Sequence, residues 1–157
     1  MLKKYFIVFL VSMVPLIELR GAIPISQGFN LPLLQSYIIS IIGNMLPVPI
    51  IFLFARKVLE WGCDKPVIGP FFTFCIEKGH KGGTKLQQKA GKGLYVALLL
   101  FVGIPLPGTG AWTGTLAASF LDMDFKKSVI AVLGGVLLAG VIMGAVSAGL
   151  FSMIRGF

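Results

Sequence analysis

The sequence predicts an all-α integral membrane protein, an inverted repeat of two units, each a re-entrant helical hairpin followed by one transmembrane helix. Three observations lead there. The chain is 56% apolar and only 13% charged, with a mean hydropathy of +0.91, a balance typical of chains that sit in lipid. Residues 31–55 and 128–154 carry no charge, and as helices both runs are long enough to cross a hydrocarbon core of roughly 30 Å. Ahead of each run stand two short apolar arms separated by a break rich in proline and glycine.

The first repeat, residues 1–59, opens with a hairpin at 5–30. Lys3 and Lys4 precede the apolar run 5–17, as in a secretory signal, but cleavage near Gly21 or Ala22 would put Leu19 or Arg20 where a small residue is required. The run is therefore expected to stay. As a helix it rises about 20 Å, enough for mid-depth and short of a full crossing. It ends in Pro15-Leu-Ile-Glu18-Leu-Arg20-Gly21-Ala-Ile-Pro24, where an acid and a base are embedded in apolar sequence. A charge inside the membrane costs roughly 2.5–3.5 kcal/mol on insertion scales, a penalty that usually accompanies a pathway or a binding role. The alternative places Glu18 and Arg20 among headgroups at the far end of an ordinary span.

The span 31–55 follows, anchored by Arg56 and Lys57. Within it Pro47 and Pro49 remove backbone donors, and Asn44 either bonds a neighbouring helix or faces the site.

Residues 60–93 are polar, basic and glycine-rich. Eight of the fourteen Lys and Arg lie between Arg56 and Lys92, with three acids among them. Without a nucleic-acid motif, this density marks residues 56–93 as cytoplasmic, where positive charge is retained. Cys63, Cys75 and His80 provide too few ligands for a tetrahedral zinc site, and cytoplasmic thiols are expected to remain reduced. Gly91-Lys92-Gly93 is not a phosphate loop, because position 86 is Leu and Gly93 stands where a hydroxyl is needed. The apolar piece 70–76 is too short to span and is expected to lie on the surface or under the bundle.

The second repeat, residues 94–157, has its hairpin at 94–120 and its span at 128–154. Its break, Pro105-Leu-Pro-Gly108-Thr109-Gly110-Ala-Trp112-Thr113-Gly114, separates two arms that each cover about half of the hydrocarbon core. Backbone groups freed at that depth persist only where protein or a water-filled cavity surrounds them, so the break is expected to line a site. In the last span Gly140, Gly144, Ala148 and Ser152 recur every fourth residue, a small-residue stripe for close helix packing within the chain or in a dimer.

If each hairpin returns to its own side, the second half enters from the opposite face and the two breaks meet near mid-membrane, as in many transporters. Both termini are then outside. Four plain crossings are the competing topology, with the termini inside.

Glu18-Leu-Arg-Gly-Ala-Ile-Pro24 together with Pro105-Leu-Pro-Gly-Thr-Gly-Ala-Trp-Thr-Gly114 resembles the small multidrug export protein family over essentially the whole chain. That family is in turn similar to the DedA and VTT membrane proteins, whose fold is described as paired re-entrant hairpins and whose members are implicated in proton-coupled movement of lipids, polyprenyl phosphate carriers included. The resemblance implies that Glu18 is a proton carrier, that Arg20 is an anion partner, and that Pro105, Gly108, Gly110, Trp112 and Thr113 form the second tip. DedA proteins carry arginines at that tip. Here there are none, only Thr109, Thr113 and backbone N–H groups.

The expected function is a proton-coupled transporter of an amphipathic substrate such as a lipid phosphate, with site residues Glu18, Arg20, Asn44, Pro105, Gly108, Thr109, Gly110, Trp112 and Thr113. Efflux of small cationic drugs is one alternative, with Glu18 as counter-ion and Trp112 as an aromatic face. A scaffold that transports nothing is the other. An enzyme is not expected, because the sole His lies far from either break. No cofactor and no metal are expected. The expected partners are membrane lipids, the lipid-like substrate, protons and a second copy in a homodimer, with no nucleic acid.

Overall fold

The computed structural model describes residues 1–74, 76–77, 88 and 91–155, and seven helices make up the bundle, apart from a short helical piece after Cys63. In chain order they are α1 (Leu2–Met13), α2 (Glu18–Gly28), α3 (Leu33–Met45), α4 (Pro47–Cys63), α5 (Gly93–Gly103), α6 (Ala111–Phe120) and α7 (Phe125–Arg155). No strand occurs among the described residues. Cys75, His80 and the Lys81–Lys85 stretch lie outside them.

α3 and α4 act as one rod. Leu46 between them keeps helical dihedrals, and its N–H still bonds the Ile42 carbonyl at 3.1 Å. Pro47 then opens α4, where its missing donor would have met Gly43. The expected span 31–55 is therefore part of a longer helix that runs on to Cys63, past Arg56 and Lys57. The expected span 128–154 corresponds to the 31-residue α7. Both rods, at about 46 Å, are long and apolar enough to cross a membrane. Beyond Cys63 the chain turns and residues 69–74 are again helical. Phe72 lies so close to Gly62 that a Cβ there would meet its ring at 2.6 Å.

The short helices pair by reversal. Lys4 Nζ donates to the Phe29 carbonyl at 3.1 Å, and Tyr5 bonds Gln35, so the start of α1 and the end of α2 lie together. In the second half the Asp124 N–H donates to the Tyr95 hydroxyl at 3.2 Å, which brings the end of α6 back to the start of α5. Asp122 also pairs with Arg56 near the end of the α4 rod. The end of α7 points the other way. Tyr37 Oη donates to the Leu137 carbonyl at 3.0 Å, and Gly144 stands beside Leu33.

Packing repeats between the halves. Each first arm lies on the long helix of its own half, α1 on α3 and α5 on α7, and the second arms also reach the other half, α6 lying chiefly on α4 and α2 on α3 and α7 alike. These contacts interlock the halves around one core of Leu19, Ile23, Val48, Leu98, Val102, Val132 and Val136.

Both breaks are shorter than their sequence motifs. Only residues 14–17 and 104–110 leave the helices, so Gly21, Pro24 and Gly114 are helical rather than part of the turns. Proximity explains the glycines. A Cβ on Gly114 would sit 2.6 Å from Val102 Cγ2, and one on Gly21 2.5 Å from Ile17 Cγ2. Pro24 is accepted within the first two turns of α2, where it frees the Arg20 carbonyl.

Candidate functional site

The two breaks meet, and three side chains exchange helix caps across the meeting point. A helix leaves its first N–H groups and last C=O groups without partners, and the aligned peptide dipoles place partial positive charge at its N-terminus and partial negative charge at its C-terminus. Glu18 accepts from the Ala111 N–H (Oε2, 3.0 Å) and the Trp112 N–H (Oε1, 2.9 Å), which are the first two donors of α6. Its carboxylate thus closes a helix start that Gly110, lacking a side chain, cannot cap.

Arg20 does the converse at the end of α5. Its Nη1 donates to the Leu106 carbonyl at 2.7 Å, and its Nη2 to the carbonyls of Val102 at 3.0 Å and Ile104 at 3.2 Å. The planar fork of the guanidinium offers enough donors, in fixed directions, for three carbonyls on one turning chain. Trp112 completes the exchange, its indole N–H donating to the Met13 carbonyl at 3.0 Å at the end of α1. Opposite charges therefore face opposite helix ends, and each half holds the other's break in shape.

Local sequence builds these positions. Leu16 and Glu18 have positive φ values, 73° and 51°, which side chains adopt at a cost of roughly 1–3 kcal/mol and mostly at functional sites. The strain lets the chain drop from α1 into α2 within four residues and aim the Glu18 carboxylate at α6. In the second break Gly108 (φ 79°) and Gly110 (φ 146°) take the left-handed values that glycine allows. A Cβ on Gly110 would land on the Glu18 carboxylate, so this glycine also provides the room for the cap. Thr109 Oγ1 donates to the Ile104 and Leu106 carbonyls at 3.0 and 2.9 Å, tying the turn to itself. Thr113 Oγ1 reaches the Gly110 carbonyl at 3.4 Å.

Glu18 is 4% exposed and is the one buried charged side chain among the described residues. Arg20, Thr109, Trp112 and Thr113 are half-buried, and the tip residues Leu106, Pro107 and Gly108 are exposed. Of the residues expected at the site, Glu18, Arg20, Gly110 and Trp112 come together directly. Pro105, Gly108 and Thr109 shape the turn. Asn44 makes no bond to this group, although it is buried and its Oδ1 has no partner.

Several participants had no side-chain signature. The carbonyls of Met13, Val102, Ile104 and Leu106 take part through backbone alone. Ser40, Thr115 and Ser119 are further buried polar residues in the same helices. Their signal was available as hydroxyls at helical spacing inside apolar runs.

A family model described as "Putative small multi-drug export protein" matches residues 18–142. The match begins at Glu18, just past the first break, and includes the whole of the second. No curated protein and no solved structure matches the chain.

Proposed function

Because the chain belongs to the small multi-drug export protein family, we propose that it is an integral membrane exporter, proton-coupled through Glu18, for an amphipathic substrate whose polar head enters between the two breaks. Membrane insertion is supported by the outward faces of the long helices. Leu34, Ile38, Ile42 and Ile50 on one and Ile130 and Val141 on the other are exposed, a continuous apolar exterior that water does not favour. Each short arm reaches about half-way through a bilayer and returns. On this reading the two halves form an inverted repeat of re-entrant hairpins with the site near mid-depth.

The observation that carries the proposal is the Glu18 cap. One buried carboxylate joins the two halves by accepting two N–H groups, and it accepts them best when charged. A proton on Glu18 removes that charge, weakens both bonds and loosens α6 from the first break. Arg20, two residues along, is its charged neighbour. α6 has no ionisable side chain, α3 has only Tyr37, and Lys3, Lys4 and Tyr5 of α1 stand at that helix's other end. Glu18 is thus the acidic side chain at the junction. When the caps part, Arg20 is freed from the α5 carbonyls to meet an anionic head, a lipid phosphate being the lead case.

A second reading, export of lipophilic cations with Glu18 as counter-ion, draws on the family's multi-drug description. Everted vesicles with an imposed pH gradient test both. Glu18→Gln should insert normally and lose gradient-driven transport, since the amide imitates the protonated acid. Wild-type transport by that variant would remove the proton role. Competition by a lipid phosphate supports the anionic substrate, and competition by a lipophilic cationic dye supports the other.

A further inference from the structure

Two stripes of buried polar side chains approach Glu18 from opposite ends of the molecule. On α3, Ser36, Ser40 and Asn44 recur every fourth residue, and all three are at most 2% exposed. On α6, Thr115 and Ser119 continue in the same way from Ala111, whose N–H meets the carboxylate.

The depth of each stripe follows from helix geometry. α2 and α3 run antiparallel around the 29–32 turn. Glu18 lies ten residues before Gly28, and Gly43 lies ten after Leu33, so the carboxylate stands level with Gly43 and Asn44. The contact of Gly43 with Ser12, near the end of α1, agrees with that level. Next, α6 starts at Glu18, Ser119 Oγ donates to the Phe52 carbonyl at 2.9 Å, and Asp122 pairs with Arg56. α6 therefore runs parallel to α4, with Thr115 one turn beyond Glu18 toward the basic end. Successive members of each stripe are about 6 Å apart along the axis, a gap one water molecule bridges.

The members that flank Glu18 are the unsatisfied ones. Ser36 returns its hydroxyl to the Pro32 carbonyl at 3.0 Å, the usual arrangement for a buried helical serine, and Ser119 is satisfied by Phe52. Ser40 Oγ, Asn44 Oδ1 and Thr115 Oγ1 have no partner. An unpaired buried polar group costs about 1–3 kcal/mol, and three within a turn or so of the depth of the one buried carboxylate indicate a place that takes up polar guests. Ser128 and Ser147, the other unpartnered hydroxyls among the described residues, lie on α7 and belong to neither stripe.

We propose that Ser40, Asn44 and Thr115 bind water and form, with Ser36 and Ser119, a polar line that reaches Glu18 from both faces, the α3 stripe from the side of the 29–32 turn and the α6 stripe from the basic side. The inference rests on the reading of Glu18 as the proton site and gives it two access routes. The line is closed in this structure, with Ser40 at 0%, Glu18 at 4% and Thr115 at 1% exposure, and it admits solvent from either face in states in which the two breaks part.

The test is the reactivity of single cysteines in a protein lacking Cys63 and Cys75, reconstituted in vesicles, toward a small membrane-impermeant cationic methanethiosulfonate. Only a thiolate reacts, and a thiol ionises where water reaches it. Ser40→Cys should react from the face of the 29–32 turn and Thr115→Cys from the basic face, each at least about tenfold faster than the lipid-facing controls Ile38→Cys and Ile42→Cys. Rates no higher than those controls at both positions would overturn the line. Thr115→Val, which keeps the shape and drops the hydroxyl, should lower gradient-driven transport, and Thr115→Ser should restore it. Equal transport by all three forms would also overturn it. Failure of the proton reading shows elsewhere, as Glu18→Gln transporting at the wild-type rate, and leaves the cysteine rates unchanged.

Discussion

Gly110 carries two constraints that one substitution exposes. Its φ of 146° disfavours a side chain, and a Cβ there would occupy the position of the Glu18 carboxylate. Gly110→Ala should therefore strain the backbone and expel the α6 cap together, lowering stability by about 2–4 kcal/mol. Gly108→Ala meets nothing within 4 Å and pays only for its φ of 79°, about 1 kcal/mol. Thermal unfolding of the two purified variants in the same detergent checks the order, and equal losses would mean that the carboxylate is not held against Gly110. The charge pair at Glu18 and Arg20 was legible in the sequence as a cost that needed a reason. Its use as two helix caps was not, because the partners are backbone groups 82 to 94 residues away.

The helices divide into short arms that position the site and long rods that hold the arms. The stripe of small residues on α7 shows where sequence pattern stops being informative. Gly140 packs against the Tyr37 ring within the chain, and the Tyr37 hydroxyl then bonds Leu137. Ala148 and Ser152, in the same register, are exposed. One period thus includes an internal contact and an outward face, and the spacing does not distinguish them. Gly140→Leu should push α3 from α7 and cost about 2–3 kcal/mol. Gly149→Ala, with nothing within 4 Å, should stay within about 0.5 kcal/mol of the parent. Denaturation midpoints separate the two, and a neutral Gly140→Leu would show that the rods do not rely on this approach. The proline-marked stretch at Pro47 is also decided by context. The sequence showed two missing donors there, yet the α3–α4 rod passes through, because Pro47 and Pro49 sit in the first turn of α4 and leave the rest of the ladder intact.

At the scale of the whole molecule, the reversal of each helix pair puts both chain ends at one end of the bundle and the 56–63 and 121–127 regions at the other. If the rods cross a bilayer, Leu2→Cys and Arg155→Cys in a background without Cys63 and Cys75 should both react with an impermeant thiol reagent on intact cells. Lys92→Cys should react only after lysis. Protection of both ends would require four plain crossings and place Glu18 and Arg20 at the membrane surface.

The sequence by itself determined the all-helical class, the two long apolar rods and the places where shorter helices break. These depend on local properties: hydropathy summed along a run, the donor that proline lacks and the dihedrals that glycine permits. Tertiary structure decided which break meets which, that Glu18 and Arg20 close helices of the other half, and that α2 and α6 reach the long helix of the other half. It also buried Ser40, Asn44 and Thr115 with polar atoms that have no partner. Those outcomes depend on how helices distant in sequence sit in depth and rotation, and helical period does not encode that information. Only the packing of the two halves against each other supplies it.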